Sequence, residues 1–283
     1  MISNVWAMRH HFTHHKRWPS RLLCLGLLLI SLSAMAQTDS TRIRTSVNML
    51  GFGPTNILDT YLSQEKFAGS GLTFLHITQK ERPGKRWNTI LQHEANFSFA
   101  DDRAERSEEL EGTYSIYWGR YLTFRLPGNW RLEAGGVLNG NVGFIYNTSN
   151  SNNPAQARFS INVMPSAVIT KPFCLFGQQF AARYELDLPL AGLMFSPNYG
   201  QSYYEIFNRG NYDHNLVPTT LISAPSLRHQ LTIDWRAGRT WDLRVGYLGN
   251  YQQAEVNHLK QHISNHRLMI GVVKRFRTVY YKR

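Results

Sequence analysis

The chain has 283 residues and a formal net charge of +12, with 42% hydrophobic, 13% aromatic and 18% charged residues. Beyond the N-terminal leader, no stretch holds the roughly eighteen uninterrupted apolar residues that a membrane-spanning helix needs, so that class is excluded. Two cysteines, Cys24 and Cys174, are too few for a disulfide scaffold.

The leader comes first. Arg9, Lys16, Arg17 and Arg21 form a basic head, LLCLGLLLISLS an apolar core, and Ala34 and Ala36 a small-residue exit. Those are the parts of a secretory signal cleaved after Ala36. The core is too short for an anchor, and Cys24 sits at its start, where a lipoprotein cysteine does not. The chain therefore divides into a cleaved signal, residues 1–36, and a mature chain, residues 37–283. Cleavage removes four of the 31 basic residues and none of the 19 acidic ones, leaving 27 against 19, a net charge of +8. Cys174 is then unpaired. A basic chain can suggest nucleic acid. An exported chain seldom meets any, and arginines in a polar interior or facing anionic lipid account better for the charge.

The mature chain reads as successive strands by its period of two. Residues 43–52 and 70–79 alternate weakly. Residues 87–99 set Trp87, Leu91, His93, Phe97 and Phe99 against Asn88, Gln92, Glu94 and Asn96. Residues 114–126 and 130–146 form a long hairpin through PGN at 127–129, with Trp118, Leu122, Trp130, Leu138 and Phe144 on one oily face. Residues 157–171 alternate weakly, and four more runs follow at 176–190, 227–237, 241–251 and 266–276. About ten strands result, each near the length that crosses a tilted bilayer. The connections alternate. ERPGKR, PGN, KPFCLF and AGRT are short, whereas 53–69, 101–110, 147–156, 191–226 and 254–264 are long.

This pattern predicts an all-β, antiparallel transmembrane β-barrel of the outer-membrane type, with tight periplasmic turns and longer external loops. Trp87, Trp130, Phe176 and Trp241 each follow a short turn and are expected to form the periplasmic aromatic girdle. A soluble sandwich or lipocalin-like barrel is the alternative, but its strands are usually shorter and its oily face turns inward. The glycines of WRLEAGGVLNGNVGFIY lack the strand–loop–helix spacing of a phosphate cradle.

The opposite faces carry Glu94, Arg125, Arg131, Glu133, Arg158, Arg183, Glu185, Asp187, Arg228, Asp234, Arg236, Asp242, Arg244, Arg267 and Arg275. Ten strands enclose a bore that side chains nearly fill, and buried charges must pair. The expectation is a lumen plugged by an Arg–carboxylate network. The excess of arginine keeps a narrow, anion-preferring channel as the alternative.

Three stretches, NMLGFGPTNILDTYLS, GTYSIYWGRYLTFRLPGNWRLEAG and NHLKQHISNHRLMIGVVKRF, together resemble an uncharacterised family of Bacteroidota-type outer-membrane barrel proteins, defined only as a domain of unknown function. The resemblance covers nearly all the mature chain and implies a secreted barrel. It brings no activity and no catalytic residues. One departure from barrel practice is that the chain continues past Phe276 as RTVYYKR, so either Phe276 or Tyr281 closes the last strand.

Candidate chemistry is sparse. His258, His262 and His266 stand four apart, a zinc-binding spacing on a helix, but they fall in a loop and a strand start, where it aligns nothing. Asp101 and Asp102 at one strand end, and Asp213 and His214 in the long loop, are similar in layout to omptin proteases. There an acidic pair faces an Asp–His pair that activates water. The Asp–His spacing departs from the omptin pattern. A lipid-hydrolysing barrel needs Ser and His adjacent on the lipid-facing wall. His93 and His229 face outward, with no serine obviously beside either. The Asn-, Tyr-, Ser- and Gly-rich loops suit adaptable binding.

The sequence therefore reads as a barrel of the bacterial outer membrane with a structural or loop-mediated, non-enzymatic role. No cofactor is expected. Its expected partners are outer-membrane lipid, the barrel-assembly machinery and an external ligand met by loop 191–226.

Overall fold

The structure is a computed structural model that describes residues 42–278 except Asn152 and Arg239. The signal segment 1–36 and Tyr281 lie outside the described residues. Twelve strands form: β1 (Arg42–Asp59), β2 (Phe67–Glu81), β3 (Trp87–Asp101), β4 (Glu108–Leu126), β5 (Trp130–Asn147), β6 (Ala155–Leu175), β7 (Gln178–Asp187), β8 (Ala191–Phe195), β9 (Leu216–Thr220), β10 (Leu227–Trp235), β11 (Trp241–Val256) and β12 (Leu259–Thr278). A five-residue helix, α1 (Tyr203–Phe207), lies between β8 and β9.

Ten of the strands close into an antiparallel barrel in the order β1 to β7, then β10, β11 and β12, which returns to β1. Strands alternate one face toward lipid and one toward the bore. Leu50, Phe52, Leu72, Trp118, Leu138, Val142, Ile161, Leu231, Leu268 and Ile270 point outward and are exposed. An exposed apolar band around a closed ten-stranded wall is a bilayer-spanning arrangement.

The ten expected strands are all present, and most run further than their alternation suggested. The loop expected at 254–264 is a turn at Asn257 and His258, both with positive φ, because β11 and β12 pair up to Val256↔Leu259. The run read as 176–190 pairs as a strand only over Gln178–Asp187. Above it, β8 takes the place beside β6, from Ser160↔Met194 to Val163↔Ala191, and β9 pairs with β8. The long loop 191–226 is thus a folded cap.

Trp87, Trp130 and Trp241 open their strands and are exposed at the short-turn end. Phe176 corrects the expectation. It sits in the β6–β7 turn itself, 93% exposed at φ 49°, because the tight turn takes Phe176 and Gly177 as its two central residues.

The bore is not uniformly polar. Val47, Met49, Leu75, Ile77, Ile90, Tyr117, Tyr121, Val137, Met164, Val168, Leu248, Met269 and Val273 point inward and pack into one buried cluster. Ile57, Leu62, Phe67, Ala100, Ile145 and Ile263, with Tyr61 against them, form a second cluster at the external end. Burial of such side chains stabilises by about 1.5–3 kcal/mol each.

Candidate functional site

The centre of the bore is organised by Arg228 on β10. Its Nε donates to Glu94 Oε2 at 2.9 Å, its Nη1 to Asp187 Oδ2 at 2.8 Å and its Nη2 to Gln92 Oε1 at 3.1 Å. Glu185 Oε1 lies 3.6 Å from the same Nη1. The guanidinium stands 4.4 Å from the Tyr117 ring centroid, a cation–π distance. Asn96 and Asn250 donate to Glu94 Oε1, while Arg183 and Gln92 both donate to Glu185. Arg228 is 2% exposed and Glu94 and Glu185 are 0% exposed, so these charges meet no bulk water and persist by pairing. The network joins β10 and β7 to β3 across the bore.

Toward the short-turn end the ion pairs are separate from this network. Arg244 grips Asp234 through Nε and Nη2 at 2.5 and 2.8 Å. Arg131 reaches Glu81 at 2.8 Å and Glu133 at 2.6 Å. Arg275 meets Asp242 at 2.5 Å from an exposed position. Arg125 and Arg236 are also exposed, Arg236 donating to Gln179 Oε1 at 2.6 Å. These three arginines belong to the rim rather than the lumen, because they stand at strand ends where the pleat no longer faces packed side chains.

Arg267 and Arg158 differ from the rest. Arg267 donates to neutral oxygens, among them Pro54 O and Thr55 Oγ1 at 2.7 Å and Ser98 Oγ at 3.0 Å. Arg158 donates to Gln252 Oε1 at 3.1 Å. Among the described residues no carboxylate lies within ion-pair distance of either. Arg158 lines a cavity of about 80 Å³ with Asn162, Met164, Ala191, Thr219 and Asn250. It lies behind the seam between β9 and β10, which no ladder joins among the described residues.

The cap closes over the external mouth. Tyr61 donates to Gln201 O at 3.0 Å, Tyr203 to Gln156 Oε1 at 2.8 Å and Asn257 Nδ2 to His214 O at 2.9 Å. Burial pushes the Tyr61 hydroxyl up to about 12. Ser202 caps α1: its Oγ accepts from Glu205 N at 3.3 Å and its own N–H donates to Glu205 Oε2 at 2.8 Å.

Among the described residues the omptin-like candidates make only local contacts. Asp102 accepts from Arg106 N at 2.8 Å within its own turn. Asp213 and His214 contact each other at 2.5 Å in the cap, with His214 81% exposed. No hydrogen bond or ion pair links these pairs, nor Asp101, among the described residues. His258 occupies the turn, whereas His262 and His266 follow on the outward face of β12. Four residues of strand separate neighbours by about 13 Å, and among the described residues no group of three potential ligands could hold a metal.

On the outer wall, His93 Nδ1 lies 2.6 Å from Tyr114 OH, and the His229 ring is parallel to that of Tyr251. The serine–histidine contact is elsewhere, between Ser264 and His266. Sequence reasoning missed it by reading 254–264 as a loop. The signal was the Ser-x-His spacing, which puts both side chains on one face of a strand. The inward residues Glu81, Glu109 and Glu111 were also missed.

A closed ten-stranded wall, an outward apolar band and a charge-paired interior define the class as a transmembrane β-barrel of the outer-membrane type. The family described as "Protein of unknown function (DUF3316)" matches residues 21–283, and the chain belongs to it. No curated protein matches the chain. Among solved structures, the chain is similar to the translocator domain of the autotransporter NalP from Neisseria meningitidis, at 10% identity and TM-score 0.37, covering 91% of this chain and 96% of that one. It is also similar to the outer membrane protease OmpT from Escherichia coli, at 6% identity and TM-score 0.35, covering 86% and 100%. A third is Ail, the attachment invasion locus protein of Yersinia pestis, in complex with a heparin analogue, at 11% identity and TM-score 0.31, covering 84% and 99%.

Proposed function

We propose that the protein is a non-conducting barrel of the bacterial outer membrane whose external cap, residues 191–226, is its contact surface for an extracellular ligand. The observation that carries this reading is the Arg228 network, whose charges span the bore fully buried and paired. An ion entering would have to break these pairs and desolvate at once. The two buried apolar clusters also occupy part of the bore, which supports the same reading. The cap supports the second half of the reading. Tyr199, Tyr204, Phe207, Tyr212 and Ile222 are exposed on it, and aromatic side chains give contact area at low entropic cost. Export through a signal cleaved after Ala36 belongs to the same proposal, with Gln37 as the first residue of the mature protein.

The test is single-channel recording of the refolded protein in a planar bilayer. The expected result is silence from a barrel shown to be folded. A steady, anion-selective current would overturn the plugged reading and turn the arginine-rich interior into a conduction path.

A further inference from the structure

The lipid-facing wall carries a polar constellation that neither the filled bore nor the cap uses. Outward positions on β12 run Phe276, Lys274, Val272, Ile270 and Leu268, then His266 and Ser264. Leu268 is 75% exposed, whereas His266 and Ser264 are half-buried. On the neighbouring β1, Leu50 and Phe52 give way to Pro54 and Asn56. The apolar band thus ends at Leu268 and Phe52, and Ser264 and His266 stand at its external edge. That is the boundary between hydrocarbon and headgroups, where the ester carbonyls of a bilayer lie.

The geometry there is that of a base-activated nucleophile. Ser264 Oγ is 3.1 Å from His266 Nε2. His266 Nδ1 is 2.5 Å from Tyr247 OH and 3.5 Å from Tyr251 OH. With the Nδ1 proton donated to Tyr247, Nε2 is free to accept the serine proton. Gly249 stands opposite both His266 and His229, and a Cβ there would lie 2.5 Å from His229 Nε2. The glycine therefore makes room for a second imidazole against the site. Asn56 faces Ser264 across the β1–β12 ladder, exposed on the same outward side, where its amide can donate to an oxyanion.

We infer that Ser264, His266 and Asn56 form a catalytic site that hydrolyses the acyl esters of glycerophospholipids, with Tyr247 as a positioning residue. The acyl chain lies along Leu268, Ile270, Leu50 and Phe52, and the ester carbonyl reaches Ser264. Ser264 Oγ attacks the carbonyl carbon as His266 Nε2 takes its proton. The negative charge on the carbonyl oxygen is met by Asn56. The carbon–oxygen bond to glycerol breaks, and the leaving alkoxide takes the proton from His266. Water, activated by the same imidazole, then cleaves the acyl-serine and releases a fatty acid. The orienting group is a neutral phenol, which stabilises an imidazolium less than a carboxylate does, so turnover is slow.

The test uses the full mature protein refolded in mixed micelles of detergent and phosphatidylethanolamine, with fatty-acid release measured. In parallel, a fluorophosphonate probe reports the nucleophile by intact mass and peptide mapping. Wild type is expected to release fatty acid and to carry one adduct on Ser264. Ser264→Ala loses both, and His266→Ala loses at least 99% of the release. Tyr247→Phe lowers kcat about tenfold with KM unchanged, a split that a purely structural tyrosine would not produce. Asn56→Ala lowers kcat about 100-fold. His93→Ala, on the same wall but away from the site, keeps wild-type activity. Heat-modifiable gel mobility checks that each variant is folded. Folded wild type that neither releases fatty acid nor takes the probe overturns the inference, as does release that survives in Ser264→Ala.

Discussion

The β4–β5 hairpin and the β7–β10 sector build the same wall in different ways. β4 and β5 pair without interruption from Glu109↔Asn147 to Leu126↔Trp130. β7 pairs with β10 only from Arg228↔Asp187 to Trp235↔Phe180, and above it the β8–β9 hairpin fills the gap while leaving a seam toward β10. The first region is held by an unbroken backbone ladder, to which neutral side chains add bonds such as Asn141 Nδ2 to Ser115 Oγ at 2.7 Å. The second has lost ladder, and it is there that Glu185, Asp187 and Arg228 are found, reaching across the bore to Glu94 and Gln92 on β3. Side-chain charge does in one sector what backbone hydrogen bonds do in the other.

The strongest way to break this comparison is Arg228→Ala. It leaves Glu94, Glu185 and Asp187 buried without their shared cation, and a loss of about 3–5 kcal/mol is expected. Urea unfolding of the refolded barrel reads the total. Amide exchange reads the location: β7 and β10 should lose protection first while β4 and β5 keep theirs. Equal loss in all four strands would mean the network braces the whole bore.

A smaller change sharpens it at the cap. Ser202→Ala removes the acceptor for Glu205 N, and a cost of about 1 kcal/mol confined to α1 is expected. Exchange of the α1 amides should rise with the barrel's unfolding midpoint unchanged. The smallest effect is pH-dependent. The Ser202 backbone N–H, and after it the Ser202 hydroxyl, hold the Glu205 carboxyl below the usual glutamate range. A lowered folded value means the contribution is fully present above the unfolded value and is lost as pH falls through the lowered one. The α1 amides should therefore loosen on acidification and recover on neutralisation, and in Ser202→Ala that response should be weakened.

How legible each region was in the sequence follows the same division. Strands with one oily and one polar face, such as 130–146, announce themselves by alternation. The runs at 43–52, 70–79 and 157–171 read weakly because both faces are apolar: Val47 and Met49 point inward while Leu50 and Phe52 point outward, and Met164 and Val168 oppose Ile161 and Val163. The inner apolar cluster was thus hidden by the residues that build it. β8 and β9, five residues each, are too short to show a period. Glu94, Glu185, Asp187 and Arg228 are buried, but which of them meet across the bore could not be read from the sequence. Whether Arg228 meets Glu94 depends on curvature and strand tilt, which a linear pattern does not contain. Ser264 was passed over for a simpler reason: a polar residue on a lipid-facing strand looks like loop, and the strand was read as starting only at His266.

The seam between β1 and β12 has a further consequence, for how the wall comes to be. Thr55 and Asn265, hydrogen-bonded at 2.8 Å across that seam, stand 210 positions apart in the chain. Most other seams join strands that follow one another and can form as hairpins while the chain is still emerging. This one cannot form until the last strand has arrived, and its long loop must be closed before any of its contacts are gained. Until then β1 and β11 present open edges, each able to pair with a foreign strand. Assembly thus has an obligatory final step and a vulnerable interval before it, and the residues of β12 decide how long that interval lasts.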